Sequence, residues 1–170
     1  MDYLRKAKDG VVTLVGRALG SMSGGTGRRA LTIERPHAAV EEFWRDPENL
    51  SRVFGGFADV RSTASDRYEW TAAPNGADAI RWDSVLLADQ DGLHFVDAVD
   101  PERVRIDLKC TDAPRGRGTE VHISATTPLP RQLTGAAIFT ALYRARALMQ
   151  TGEAPTLDRN PSGRSAPQEA

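Results

Sequence analysis

Residues 103–152 read RVRIDLKCTDAPRGRGTEVHISATTPLPRQLTGAAIFTALYRARALMQTG, and this stretch decides the fold. Val104, Ile106, Leu108 and Cys110 alternate with Arg103, Arg105, Asp107 and Lys109. That is the period of a strand with one dry face and one wet face. Val121, Ile123 and Ala125 repeat the pattern against Glu120, His122, Ser124 and Thr126. Pro128 and Pro130 then stop the ladder, and from about Gln132 to Thr151 the period becomes helical. Ile138, Leu142, Ala145 and Met149 stack into one stripe flanked by Ala141 and Leu148, with Arg144 pointing away and Gly152 placed to end the helix in a left-handed turn. A dry sheet face followed at once by a helix with an apolar stripe predicts that the helix lies across that face.

Upstream, the same alternation gives strands at 57–63, 67–73, 79–88 and 93–99, separated by Ser65-Asp66, Pro74-Asn75-Gly76 and Asp91-Gly92. Strands at 103–111 and 118–127 complete this antiparallel meander. Before it come a strand at 30–35, a short helix bearing Val40, Phe43 and Trp44, and a second short helix bearing Leu50, Val53 and Phe54. Asp46-Pro47 separates the two helices as a cap followed by proline at the first helical position. The fold class is therefore α+β: a curved antiparallel sheet of about seven strands around a long C-terminal helix.

The chain has 170 residues, enough for one domain with a real core and little room for two. Lys and Arg number 22 against 23 Asp and Glu, so the net charge of −1 speaks against a general nucleic-acid binder. A single cysteine, Cys110, excludes an internal disulfide and a four-cysteine zinc site. The organisation reads as a basic segment and Gly/Ser linker over 1–29, a domain over 30–152 and a polar, disordered tail over 153–170. In the first segment Leu4, Val11, Leu14, Val15, Ala18 and Leu19 recur beside Arg5, Lys6, Lys8 and Arg17, too short and too charged to span a bilayer. It reads as an interfacial helix giving weak membrane-surface contact through residues 1–22, or as a helix packed on a partner along Gly16, Gly20 and Gly24. The expected location is cytoplasmic, with membrane-peripheral contact as that alternative.

This order of elements resembles the helix-grip fold. The motif Ile33-Glu34-Arg35-Pro36, with Val40-Glu41-Glu42-Phe43-Trp44-Arg45-Asp46-Pro47-Glu48-Asn49-Leu50, is similar to the opening of the START-like (SRPBCC) superfamily, which includes polyketide cyclase/dehydrases. Ile80-Arg81-Trp82-Asp83, Gly118-Thr119-Glu120-Val121 and the closing Thr151-Gly152-Glu153-Ala154-Pro155-Thr156 with Pro161-Ser162-Gly163-Arg164 extend the likeness over residues 31–164. The resemblance implies a cavity between sheet and C-terminal helix and leaves the chemistry open.

No nucleophile elbow, zinc-protease helix or phosphate loop occurs, and His37, His94 and His122 lie far apart in sequence. The leading expectation is a non-catalytic binding protein for an apolar or amphipathic small molecule such as a lipid, quinone or polyketide-like ring, with no metal and no cofactor. Its cavity would be lined by Tyr68, Trp70, Ile80, Trp82, Phe95, Ile106, Leu108, Ile138, Leu142, Ala145, Arg146 and Met149. Small side chains at Ala137, Ala141 and Ala145 leave room opposite the sheet unless the helix drops close. One alternative is a cyclase/dehydrase-like enzyme using His94, Asp97, Tyr143 or Arg146 on a carbonyl. In the fifth strand both parities are passable, though the bulk of Leu93 and Phe95 favours bringing Asp97 rather than His94 inward. The other alternative is a membrane- or partner-docked module with a vestigial cavity.

Overall fold

Alternation carries directly into burial in the computed structural model, which describes residues 25–73 and 78–155. The elements are β1 (Gly25–Ile33), α1 (His37–Arg45), α2 (Pro47–Phe54), β2 (Asp59–Ala64), β3 (Arg67–Ala72), β4 (Ile80–Asp89), β5 (Gly92–Asp97), β6 (Arg105–Asp112), β7 (Thr119–Thr127) and α3 (Arg131–Thr151). The seven strands form one antiparallel sheet in the order β1-β7-β6-β5-β4-β3-β2. It is a meander whose last strand pairs with the first, and α3 packs on its inner face in a helix-grip arrangement. Along β7 every second residue is buried, and α3 fills the space above with Ala137, Ile138, Ala141, Leu142 and Ala145. The small residues let the helix drop close, so the room that they leave is taken up by approach rather than kept as volume.

Local chemistry sets the boundaries. The Asp46 side chain accepts from Glu48 N at 2.8 Å and starts α2 behind Pro47. Gly152 closes α3 at φ 77°, donating its N–H to the Leu148 carbonyl at 2.9 Å. β5 stops at Asp97, short of the expected 99, because the buried Asp97 carboxylate accepts from Val99 N and Asp100 N at 2.8 and 3.0 Å and turns the chain. β6 correspondingly starts at Arg105, two residues late, since Arg103 N closes that same turn on Asp100 O.

Two expectations need correction. β1 begins at Gly25, so residues 25–29, read as linker, belong to the sheet and pair with 123–127. The misleading residue is Gly27: a Cβ there would stand 3.3 Å from the α3 backbone at Gly135 Cα and 2.9 Å from Ile138 Cδ1, so this glycine marks a close approach of the helix rather than loose chain. Arg144, read as pointing away from the core, instead turns onto the end of α2 and donates to the Gly55 and Val53 carbonyls at 2.5 and 3.3 Å. It satisfies carbonyls that a helix C-terminus leaves open. The apolar row at 4–22, the turn at 74–77 and the tail from 156 onward lie outside the described residues.

Candidate functional site

An aromatic chain forms the floor of the inner face. Trp70 and Trp82, neighbours in register on β3 and β4, stack with centroids 5.8 Å apart and planes 7° from parallel. Phe54 and Phe95 meet Trp70 edge-on at 5.5 and 5.7 Å. Trp70 Nε1 donates to Ser84 Oγ at 2.8 Å, and Tyr68 OH donates to the Arg45 carbonyl at 2.6 Å. Among the described residues the buried Trp82 and Trp44 indole N–H groups have no hydrogen-bond partner.

Between this floor and the first turns of α3 lies a void of about 30 Å³ with an entirely apolar surface. Phe54 and Phe57 wall it at the α2 end, Trp70, Trp82 and Ile106 from the sheet, and Thr134, Ala137 and Ile138 from the helix. The Thr127 and Thr134 hydroxyls beside it bond each other at 2.8 Å. Ligand sites for small molecules run to roughly 300–1,000 Å³, so the void as it stands is about the share of one water.

The two halves of α3 are held differently. The second half is tied by Arg144 on α2 and by Arg35 Nε donating to the Met149 carbonyl at 2.7 Å. Among the described residues, the side-chain hydrogen bonds of residues 131–140 all belong to Thr134, whose partner on the sheet is Thr127. The half with fewer side-chain hydrogen bonds lies over the void and is held there by packing on β1.

Of the residues named from the sequence, Trp70, Trp82, Ile106 and Ile138 meet at the void. Tyr68, Phe95, Leu108, Leu142 and Ala145 are buried in the surrounding core, while Ile80 and Met149 are half-buried at its margin. Arg146 is exposed and donates to Gln150 Oε1 at 3.3 Å, so the inward reach expected of it is made by Arg144. Phe57, Leu129 and Thr134 were not anticipated as lining, whereas Ala137 is one of the small residues expected to leave room there. Thr134 was legible, since it sits one turn before Ile138; Phe57 was masked by its place just after Gly55-Gly56.

The polar candidates lie elsewhere. His94 is on the outer face, with Nδ1 2.5 Å from Asp107 Oδ1 and Nε2 3.1 Å from Asp89 Oδ1. Burial alone would lower its pKa, but the two carboxylates outweigh that and raise it above its ordinary value. Asp97 has inward parity, as the bulk of Leu93 and Phe95 suggested, yet is spent on its turn and on Arg103 at 3.5 Å. Burial pushes its carboxyl up, and those donors bring it below the usual value. Tyr143 is exposed on the outer side of α3, and His122 stands on the wet face 2.9 Å from Glu120. Burial raises the Cys110 thiol to about 11, which leaves it protonated and inert. Among the described residues no cluster of three metal-ligating side chains occurs, and no helix is long and apolar enough to cross a membrane.

No protein-family model matches this chain, and no curated protein matches it in sequence. Solved structures match it in shape. A structural-genomics protein of Deinococcus radiodurans is similar at 25% identity with TM-score 0.60, over 75% of this chain and 99% of its own. A Chromobacterium violaceum protein, 19% identical, gives TM-score 0.53 over 73% of this chain and 96% of its own. The Aha1 dimer of Colwellia psychrerythraea, 10% identical, gives 0.54 over 76% and 98%. These likenesses carry the fold and no chemistry.

Proposed function

We propose that this chain is a START-like (SRPBCC) domain of the polyketide cyclase/dehydrase type that binds an apolar or amphipathic small molecule without turning it over. The observation that carries the reading is the wholly apolar void beneath the first half of α3, the half with fewer side-chain hydrogen bonds. A lipid, quinone or polyketide-like ring would enter as residues 131–140 lift, with the second half held in place by Arg144 and Arg35. A cytoplasmic location goes with this reading.

The enzyme alternative has less support, because His94, Asp97, Tyr143 and Arg146 all lie off the void's lining. The hydroxyls in its lining are those of two threonines bonded to each other. A docked module with a vestigial cavity draws support from the void's small size.

Native mass spectrometry of the gently purified full chain, followed by extraction, should reveal a co-purifying apolar molecule. An environment-sensitive apolar dye should bind with at least micromolar affinity, worth about −8 kcal/mol. Binding should be lost in Ala137→Leu, which fills the void. An empty protein that takes up no dye would defeat this reading in favour of the vestigial cavity.

A further inference from the structure

The outer face of α3 departs from what a solvated helix face ordinarily carries. Amphipathic surface helices turn charged and polar residues of both signs to water. Here the largest side chains on that face are Phe139, 61% exposed, and Tyr143, 51% exposed, one turn apart. Arg146 follows at the next turn on the same side. Arg131 and Gln132 precede them, and α3 contains no Asp or Glu in 21 residues. Its neighbour β1 contains none either, although residues 30–150 as a whole carry −4. Acids have been kept off one side of an otherwise acidic domain.

Shape adds to this. Arg29 shares the inward parity of Leu31 and Ile33 but is exposed on the edge strand β1, beside α3 rather than under it. With Arg131, Gln132, Gly135, Ala136 and Phe139 it lines an open groove of about 520 Å³. The absence of a side chain at Gly135 leaves the groove floor low between the two arginines and the phenylalanine. Arg29 spends Nη1 on the Arg28 carbonyl at 2.8 Å and keeps its other donors. Two guanidinium groups above an apolar floor suit an oxygen-rich anion attached to a hydrocarbon body. The chain before β1 joins the domain here as well: Gly25 pairs with Thr127, four residues before α3 begins. That preceding stretch carries Arg5, Lys6, Lys8 and Arg17 against Asp2 and Asp9.

We infer that the Arg29/Arg131/Phe139/Tyr143 face docks on an anionic lipid surface, with the aromatics at headgroup depth and the arginines on lipid phosphates or carboxylates. Aromatic side chains with one wet end favour that depth, and each basic group near an anionic leaflet adds about 1 kcal/mol, or about fivefold in binding. The inference stands apart from whether the void holds a ligand.

Sedimentation of the full chain with vesicles tests it. The chain should bind phosphatidylcholine mixed with phosphatidylserine, should bind phosphatidylcholine alone at least tenfold more weakly, and should be released at high salt. Arg29→Gln with Arg131→Gln should lower binding by about 25-fold, two arginines at about fivefold each. Phe139→Ala with Tyr143→Ala should lower it too. All four positions are exposed, so thermal midpoints should hold within a few degrees. Equal partition onto neutral and anionic vesicles, or none, overturns the inference. So does wild-type binding by both double variants, lost instead when Arg5, Lys6, Lys8 and Arg17 are changed to Gln, which would place the contact in the preceding segment. A dimer that Phe139→Ala/Tyr143→Ala dissolves, in a chain that ignores vesicles, would assign the face to a second copy.

Discussion

On β6 the side chains of Ile106, Leu108 and Cys110 turn to the buried inner face, while Arg105, Asp107 and Lys109 turn to the opposite side of the same backbone. The inner face is closed by aromatic stacking and by a helix whose alanines admit it. The outer face is laced by polar pairs, across strands between His94 and Asp107, His94 and Asp89, and Arg61 and Glu69, and along one strand between Arg105 and Asp107 and between Glu120 and His122. Burial stabilises by about 25 cal/mol per Å² of apolar surface and is indifferent to pH. Exposed ion pairs are worth roughly 0–1 kcal/mol each and depend on protonation and salt. One set of strands thus carries two kinds of stability, separable by which parity is mutated.

The sharpest break comes from neighbours on β7. Ile123 is fully buried and Ser124, the next residue, looks outward. Ile123→Ala should cost about 2–5 kcal/mol in denaturant unfolding, the range for buried isoleucine truncations, whereas Ser124→Ala should stay within about 0.5 kcal/mol. Comparable losses at both would mean that the outer face also packs against something.

Next in size is the tie that closes the inner face. Arg144→Met keeps the apolar stem and removes the guanidinium from the Val53 and Gly55 carbonyls, at a cost of roughly 1.5–3 kcal/mol. Arg146→Met, two residues on and exposed, should move the unfolding midpoint by less than about 0.5 kcal/mol. Amide hydrogen exchange adds a control: residues 131–140 should open at lower free energy than 144–151 in the wild type, and Arg144→Met should level the two halves.

This pair also shows how far the sequence was readable. Strand alternation, the Asp46-Pro47 cap, the Gly152 stop and the inward set of β5 follow from local periodicity and local bonds, and all are present in the structure. Arg144 was not legible from the helical period, because the period places a side chain relative to the helix axis and says nothing about which carbonyls α2 will leave nearby. Gly27 failed for the same reason: glycine reads as loose chain until the element that approaches it is known. The void was hardest, since its size follows from how close α3 settles, a sum over Ala137, Ala141, Ala145 and the floor opposite them.

A smaller effect of opposite sign should come from the void itself. Ala125 lies on β7 at its edge, and Ala125→Val adds two methyl-sized groups with good strand preference. Filling a gap of about 30 Å³ should raise stability by up to about 1 kcal/mol. A loss of more than about 1 kcal/mol would mean that the wall cannot give, and that the space is too small to be a seat for anything.

The smallest expected effect sharpens the contrast between the faces through pH. His94 is bonded at both ring nitrogens to carboxylates, and its pKa is raised above its ordinary value near 6.5. A raised pKa in the folded chain means that the stabilisation is fully present below about 6.5 and is lost as pH rises through the folded value. Seen from the other partner, the hydrogen bond to His94 holds the Asp89 carboxyl below its usual range. That contribution is present above about 4 and disappears as pH falls through the depressed value. The clamp is therefore complete between about pH 4 and 6.5 and fails on either side. The stability difference between wild type and His94→Gln, measured by urea unfolding across pH 4 to 9, should be largest near pH 5–6 and shrink steadily above 6.5. The cost of Ile123→Ala should stay flat over the same range. A flat difference for His94→Gln as well would show that His94 acts through packing, and that the outer face obeys the physics of the inner one.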